Sequence, residues 1–400
     1  MTSNKSIINI ILFDTGNSSC LFPLTLNKAV ADVRCGVLTQ KERWEKLTAG
    51  KVFVFTEKYL QPIYEPILAG EYLLVDASVL PSKHLIQQIL ALNMNERLDD
   101  ENGLIATRIN VEGVAEIDTY IYQPQGPRQI FDTVKRLNSP TQIFAWNDEA
   151  IRFDFALLTQ NKVSQQLNNS VQTTNPENIF IEQGAQLSHC IINAQAGPVY
   201  IGKNATVMEG CTIRGPFAMG ESAVLKMGAK IYGATTIGNF STAGGEIKNS
   251  VISSYSNKAH DGYLGDSVIG EWCNLGAGTS NSNLKNTGEQ IGLYDYASGK
   301  YFAAGNKCGV IMGDYSRTAI NTSINTGTVI GICSHVFGIG LTPKFIPDFS
   351  WGFNDWKAYS LDNAIRDINN WKEMKKSFLS EAGLLVLRHL YENLVTNRAV

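Results

Sequence analysis

From Ile201 onward an aliphatic residue stands at every sixth position: Ile201, Val207, Ile213, Met219, Leu225, Ile231 and Ile237. Four positions after each comes a mostly small residue (Ala205, Cys211, Phe217, Ala223, Ala229, Thr235, Ser241), and glycine often follows the aliphatic one, at Gly202, Gly220 and Gly238. Neither the helical period of 3.6 nor the strand period of 2 produces such a step. It fits a short strand and a turn repeated, with the aliphatic side chain inward and the small residue where the backbone bends. Three steps then close one triangular coil. The pattern returns at Leu264, Ile269 and Leu275, and again at Met312, Ile324, Ile330 and Val336. The interruptions, about 242–262 and 281–311, are expected to leave the coil as loops, where binding residues collect on solenoids.

The flanks have other patterns. Strand-like runs "INIILF", "KVFVF", "YLLVDAS" and "GLIATRI" alternate with helix-compatible stretches such as "LPSKHLIQQILALN", which predicts an α/β domain over 1–160. Residues 161–178, low in apolar content, are expected to be a linker, with the solenoid over 179–345. In 346–400, apolar residues at helical spacing (Leu361, Ala364, Ile365, Ile368; Leu384, Leu387, Leu390, Leu394) predict two helices, about 360–377 and 380–396, that cover the solenoid's open end.

Composition narrows the function. A chain of 400 residues, 44% hydrophobic, can bury two cores. A formal net charge of −3 without a long basic block argues against nucleic acid and anionic membranes as partners. The N-terminal apolar run "IINIILF" is too short for a signal peptide or a membrane span and suits a first strand, so a cytoplasmic protein is expected. Seven cysteines without CxxC spacing argue against a disulfide framework or a zinc site and predict buried thiols.

A coil scaffold explains "YLGDSVIGEWCNLGAG" but not His260 and its polar neighbours. The repeat resembles the left-handed parallel β-helix of hexapeptide-repeat acyltransferases, which commonly form trimers; the handedness is implied by that resemblance. Within it, "KAHDGYLGDSVIGEWCNLGAGTSNSN" resembles the acetyltransferase signature of the bifunctional enzymes that acetylate glucosamine 1-phosphate and uridylylate the product. "GPFAMGESAVLKMGA" and "IGNFSTAGGEIK" resemble two further stretches of that family, the second with four extra residues. The order of "FPLTLNKAVADVRCGVLTQKERWEKL" and "FIPDFSWGF" looks closer still to a shorter family of sugar nucleotidyltransferases related to it.

The resemblance implies that His260 is the general base, taking a proton from the sugar amine as it attacks the acetyl thioester. Imidazole suits that task, with a pKa near 6.5. Lys226, Lys248 and Tyr263 would hold the sugar phosphate, although Lys226 stands where the family has arginine, so a bidentate contact is lost. Glu246 and Asn274 would orient the sugar, and Asn283 and Lys307 would close the site, Lys307 lying beyond an insertion of about eighteen residues. Ala277 would line the acetyl-CoA groove. In a homotrimer, Lys307 would serve a neighbouring chain's His260. His84, His189, His335 and His389, and Trp272, lack such a constellation and are expected to be structural.

In the front half the nucleotidyltransferase fingerprint is damaged. Gly16 alone stands for the glycine cluster that cradles triphosphate, and "NSSC" replaces its arginine. Lys28 and Arg34 match nucleotide-binding positions, and Asp76 resembles the strand-end aspartate that binds Mg2+. Three readings stay open: acetylation followed by uridylylation with UTP, acetylation alone beside a degenerate nucleotide domain, or a non-catalytic trimeric module.

Overall fold

The computed structural model describes residues 8–395 except 15, 17 and 49. By contacts the chain forms two units. The first holds residues up to Leu21, Lys28–Val33 and Leu38–Asn138; the second holds Phe22–Asn27, Arg34–Val37 and everything from Ser139. The helices at Pro140–Ala145 and Asn147–Thr159, read from sequence into the front domain, thus group with the second unit.

The first unit is a six-stranded mixed sheet. Its strands are β1 (Asn9–Phe13), β2 (Val52–Phe55), β3 (Gly70–Asp76), β4 (Arg97–Asp100), β5 (Gly103–Val111) and β6 (Arg128–Ile130), in the order β2-β1-β3-β5-β4-β6. β1 pairs in parallel with β2 and β3, and β5 runs antiparallel to both β3 and β4. β1 reads as a continuous apolar run because it is central and buried on both faces.

The second unit is a parallel β-solenoid with three walls of six, nine and ten strands. Each six-residue step moves from one wall to the next, as the aliphatic period requires. Ile201, Met219 and Ile237 stack in the nine-stranded wall, Val207 and Leu225 in the ten-stranded wall, and Ile213 and Ile231 in the six-stranded wall. All these side chains are buried in one continuous core. The ladder opens at Gln172–Thr174, inside the stretch read as a linker, and Gln165 and Asn168 already bond to carbonyls of the first coil. At one bend, non-glycine residues adopt left-handed φ and pile up: Phe240 stacks on Tyr255 at 5.1 Å and Tyr255 on Trp272 at 4.3 Å, so Trp272 is packing.

One expectation is overturned. Residues 242–262 do not leave the coil; they supply strands Thr242–Ala243, Glu246–Lys248, Val251–Ile252 and Asn257–Lys258 in unbroken parallel register. The period disappears from the sequence because two bends are shortened and because Ala243 and Lys258 occupy inward positions where an aliphatic residue was sought. The second interruption does leave the coil. It forms an antiparallel hairpin, Gly292–Asp295 with Lys300–Ala303, and Tyr294 stacks on Phe345 at 3.9 Å.

The C-terminal helices, Leu361–Glu373 and Glu381–Leu394, lie against the flank of the solenoid. Arg317 of the ten-stranded wall sits over Trp371, and Lys372 over Trp272. The last coil is closed by its own antiparallel strand, Lys357–Ala358 on Ser350–Trp351. Among the described residues no helix is long and apolar enough to cross a membrane. Six of the seven cysteines are buried.

Asn147 ties three segments of the second unit together. Its Oδ1 accepts from the Gly36 amide at 2.7 Å and its Nδ2 donates to the Ala234 carbonyl at 2.8 Å, while Thr236 donates to the Gly36 carbonyl at 3.0 Å. Asn147 is fully buried, so truncation strands a donor and an acceptor away from water. Asn147→Ala is expected to cost roughly 2–4 kcal/mol of unfolding free energy in denaturant titration; a midpoint equal to wild type would refute the tie.

Candidate functional site

The site is built at one bend of the solenoid, where the ten-stranded wall passes into the six-stranded one. His260 lies on that bend, exposed to solvent. Beneath it Gly244 and Gly245 keep the floor low: a Cβ on Gly245 would stand 2.8 Å from the His260 carbonyl oxygen, and one on Gly244 2.5 Å from that of Ala259. Beyond it Gly262 has φ of +123° and a Cβ there would meet the Thr279 carbonyl oxygen at 2.2 Å, so only glycine fits. The next coil carries the same bend at Gly276–Thr279, and the Gly278 amide donates to the Asp261 carbonyl at 3.2 Å. Ala277 is therefore one coil above His260. Lys226, exposed, sits two coils below, its Cβ next to Gly244.

On the six-stranded wall, register fixes the rest. Lys230, Glu246 and Tyr263 face one another on successive rungs, as do Tyr232, Lys248 and Gly265. Outward side chains of adjacent rungs are about 4.8 Å apart, so Glu246, Lys248 and Tyr263 form one cluster. Tyr232 donates to Glu246 at 2.6 Å, a bond that pushes the Tyr232 phenol up to about 12. Lys248 Nζ lies 5.8 Å over the Tyr232 ring. Gly265 leaves room for the Tyr263 ring, whose hydroxyl would be 2.2 Å from a Cβ there. Asn283 donates to the Tyr263 hydroxyl at 3.1 Å and to Asp266 at 2.5 Å, and burial raises the Tyr263 pKa.

The structure thus brings together Glu246, Lys248, Tyr263 and Asn283, with His260 at the adjoining bend. Asn274 faces outward on the ten-stranded wall, across the bend from Glu246. Lys307 is exposed, next to Cys308, whose amide donates to the Asn283 carbonyl. Asp266 escaped the sequence reading, although it belongs to the quoted "YLGD"; it is buried and accepts from both Asn249 and Asn283.

The first unit places its acidic residues at strand ends. Asp14 directly follows β1, and Asp76 ends β3 opposite Phe13, the last residue of β1. Asp14 accepts from the Val30 amide and the Thr56 hydroxyl, and burial holds its carboxyl up at about 7. Asp76 is completely buried; Oδ1 accepts from the Ser78 amide and hydroxyl, and Oδ2 from Arg136 Nε at 3.0 Å. Arg136 also bonds Asp100 at 2.5 Å and the carbonyls of Gly103 and Leu104. Both oxygens of Asp76 are therefore engaged, one of them by a cation. Among the described residues no group of three His, Cys, Asp or Glu could hold a metal ion. Asp76 does not fit the role of magnesium ligand. Lys28 and Arg34 are also buried, Arg34 donating to the Val37 carbonyl.

Residues 10–163 match the family model described as sugar nucleotidyl transferase. The chain carries a sugar nucleotidyl transferase domain. It is also distantly homologous to bifunctional GlmU proteins: 27% identical over 264 residues to that of Methanocaldococcus jannaschii (58% of this chain, 59% of the relative) and 26% over 250 residues to that of Methanococcus vannielii (55% and 53%). The chain spans little more than half the length of these relatives. Among solved structures, the Francisella novicida UDP-N-acetylglucosamine acyltransferase matches at 15% identity, covering 56% of this chain and 87% of that one, with a TM-score of 0.27. The architecture, a mixed α/β sheet unit and a parallel β-solenoid, rests on the strand register above.

Removing one partner of a buried ion pair leaves the other charge uncompensated. Asp76→Ala is accordingly expected to lower the stability of the sugar nucleotidyl transferase domain by roughly 3–5 kcal/mol, and millimolar magnesium should leave the wild-type melting temperature unchanged. A magnesium-dependent rise in wild type, absent in Asp76→Ala, would restore the metal role.

Proposed function

We propose that the protein is an acetyl-CoA-dependent N-acetyltransferase acting on an amino-sugar phosphate of the glucosamine 1-phosphate class. The observation that carries this reading is His260 on a glycine-floored bend beside the Glu246, Lys248 and Tyr263 cluster. An ammonium cannot attack a thioester. His260 removes a proton from the amine as nitrogen bonds to the acetyl carbonyl carbon; the carbon–sulfur bond then breaks, and the CoA thiolate takes up a proton. Lys248 and Lys226 supply charge for the phosphate, and the Tyr263 hydroxyl, oriented by Asn283, supplies a further hydrogen bond. Glu246, held by Tyr232, accepts from a sugar hydroxyl, and Asn274 offers its amide from the other side of the bend. Ala277 leaves the bend above His260 low, where the pantetheine arm of acetyl-CoA would pass.

The match of residues 10–163 to the sugar nucleotidyl transferase model supports a second step, transfer of a uridylyl group from UTP to the sugar 1-phosphate to give UDP-N-acetylglucosamine. The Arg136 pair on Asp76 and the burial of Lys28 and Arg34 favour the alternative, acetylation beside a domain that no longer transfers nucleotide. Mass analysis of products from acetyl-CoA, glucosamine 1-phosphate, UTP and magnesium separates the two.

His260→Ala should lower acetyl transfer by about two to four orders of magnitude with an unchanged melting temperature, the residue being exposed. Wild-type acetylation by that variant would reject the base. A triangular solenoid suits a homotrimer, in which Lys307 reaches a neighbour's His260. Co-expressed His260→Ala and Lys307→Ala chains should then regain part of the activity; mixed trimers verified by mass yet inactive would reject the shared site.

A further inference from the structure

The inward column of the ten-stranded wall runs Val207, Leu225, Ala243, Lys258, Leu275, Thr318 and Val336. Six are apolar or hydroxyl-bearing, and one is a lysine, 1% exposed. Ala243, the smallest member, lies one rung below it. Among the described residues, the Lys258 ammonium pairs with no carboxylate. It bends instead toward the His260 corner, where Nζ donates to the His260 carbonyl at 2.5 Å and lies 3.4 Å from the Gly244 carbonyl oxygen. Those carbonyls belong to successive coils of the bend that carries the candidate base.

We propose that Lys258 is a positioning residue for His260, tying its turn to the Gly244 turn below from inside the solenoid. The inference rests on the reading of His260 as the base. A core lysine is a costly way to fill space, because an aliphatic side chain of similar volume packs there without desolvating a charge. What the amine adds is its hold on two main-chain carbonyls. Burial lowers the Lys258 pKa to about 8, with Asp261 pulling the other way. The hold survives loss of the proton, since a neutral amine keeps two N–H donors for the two acceptors. The turn needs such a hold from within. His260 itself projects into solvent, and the glycines that give it room, Gly244, Gly245 and Gly262, supply no side chain to fix it.

The test separates position from packing. Lys258→Met should fold with a melting temperature at or above wild type, while kcat for acetyl transfer falls about 10- to 100-fold and KM for the sugar phosphate stays within about twofold, the signature of a base displaced by a fraction of an ångström. Hydrogen exchange in the peptide spanning 256–265 should quicken in the same variant. Should Lys258→Met fail to form the solenoid, Lys258→Gln, which keeps an N–H donor at shorter reach, is read by the same loss of kcat. Wild-type kcat in a folded variant overturns the proposal. Unchanged exchange in 256–265 overturns it even if His260→Ala has already shown that another group is the base, so the two failures stay distinct.

Discussion

An aliphatic side chain turned inward at the same place in each coil is the constraint on which the second unit depends. Parallel rungs stack about 4.8 Å apart, so every inward residue touches the one above and the one below, and a misfit is felt in both neighbouring coils. Burying a Leu or Ile at such a position is worth about 1.5–3 kcal/mol, and Ile181, Ile201, Met219, Ile237, Ile252, Ile269, Met312 and Ile330 form an unbroken column of that kind. The column also fixes the outer surface. Once Ile247 and Leu264 point inward, Glu246, Lys248 and Tyr263 must point outward on adjacent rungs. The polar cluster is thus a consequence of the apolar one, and its spacing needs no separate device.

The bends carry the freedom that the walls lack. Shortening two of them removes three residues from the coil between Ile237 and Ile252 relative to the eighteen between Ile201 and Met219 and between Met219 and Ile237, without breaking the ladder. At the bend below His260 the shortening is made with a glycine pair, and it lowers the floor on which the histidine turn sits. A side chain at either glycine would press on the carbonyls of Ala259 or His260. The same bend carries Lys226 below and Ala277 above, so residues 51 positions apart in sequence line one edge of the solenoid.

Much of this was legible in the sequence, and the failures have physical causes. The six-residue period located the walls because Ile201 through Ile237 obey it without exception. It failed over 242–262, where Ala243 and Lys258 fill inward positions that a search for aliphatic residues passes over. A lysine in phase with the period was the available signal. The motif around His260 placed Glu246, Lys248, Tyr263 and Asn283, since local sequence sets which wall each residue faces. The strand-end position of Asp76 is visible in sequence, whereas its pairing with Arg136, sixty residues later, is not.

That ion pair organises the end of the first sheet in a way that bears on the family's chemistry. In an open α/β sheet, the carboxyl ends of parallel strands are where ligands bind; there Asp14 follows β1 and Asp76 ends β3, near enough for the charge of Asp76 to raise the Asp14 pKa. Two neighbouring buried carboxylates repel, and each raises the other's cost of ionisation. The chain resolves this asymmetrically. Arg136 and Ser78 engage Asp76 from two sides, while Asp14 receives only neutral donors and holds its proton up to about 7. The guanidinium brings to the strand end the positive charge that a bound cation would otherwise supply, and Asp100 and two main-chain carbonyls hold it in place. Such an arrangement stabilises the sheet whether or not a nucleotide is present.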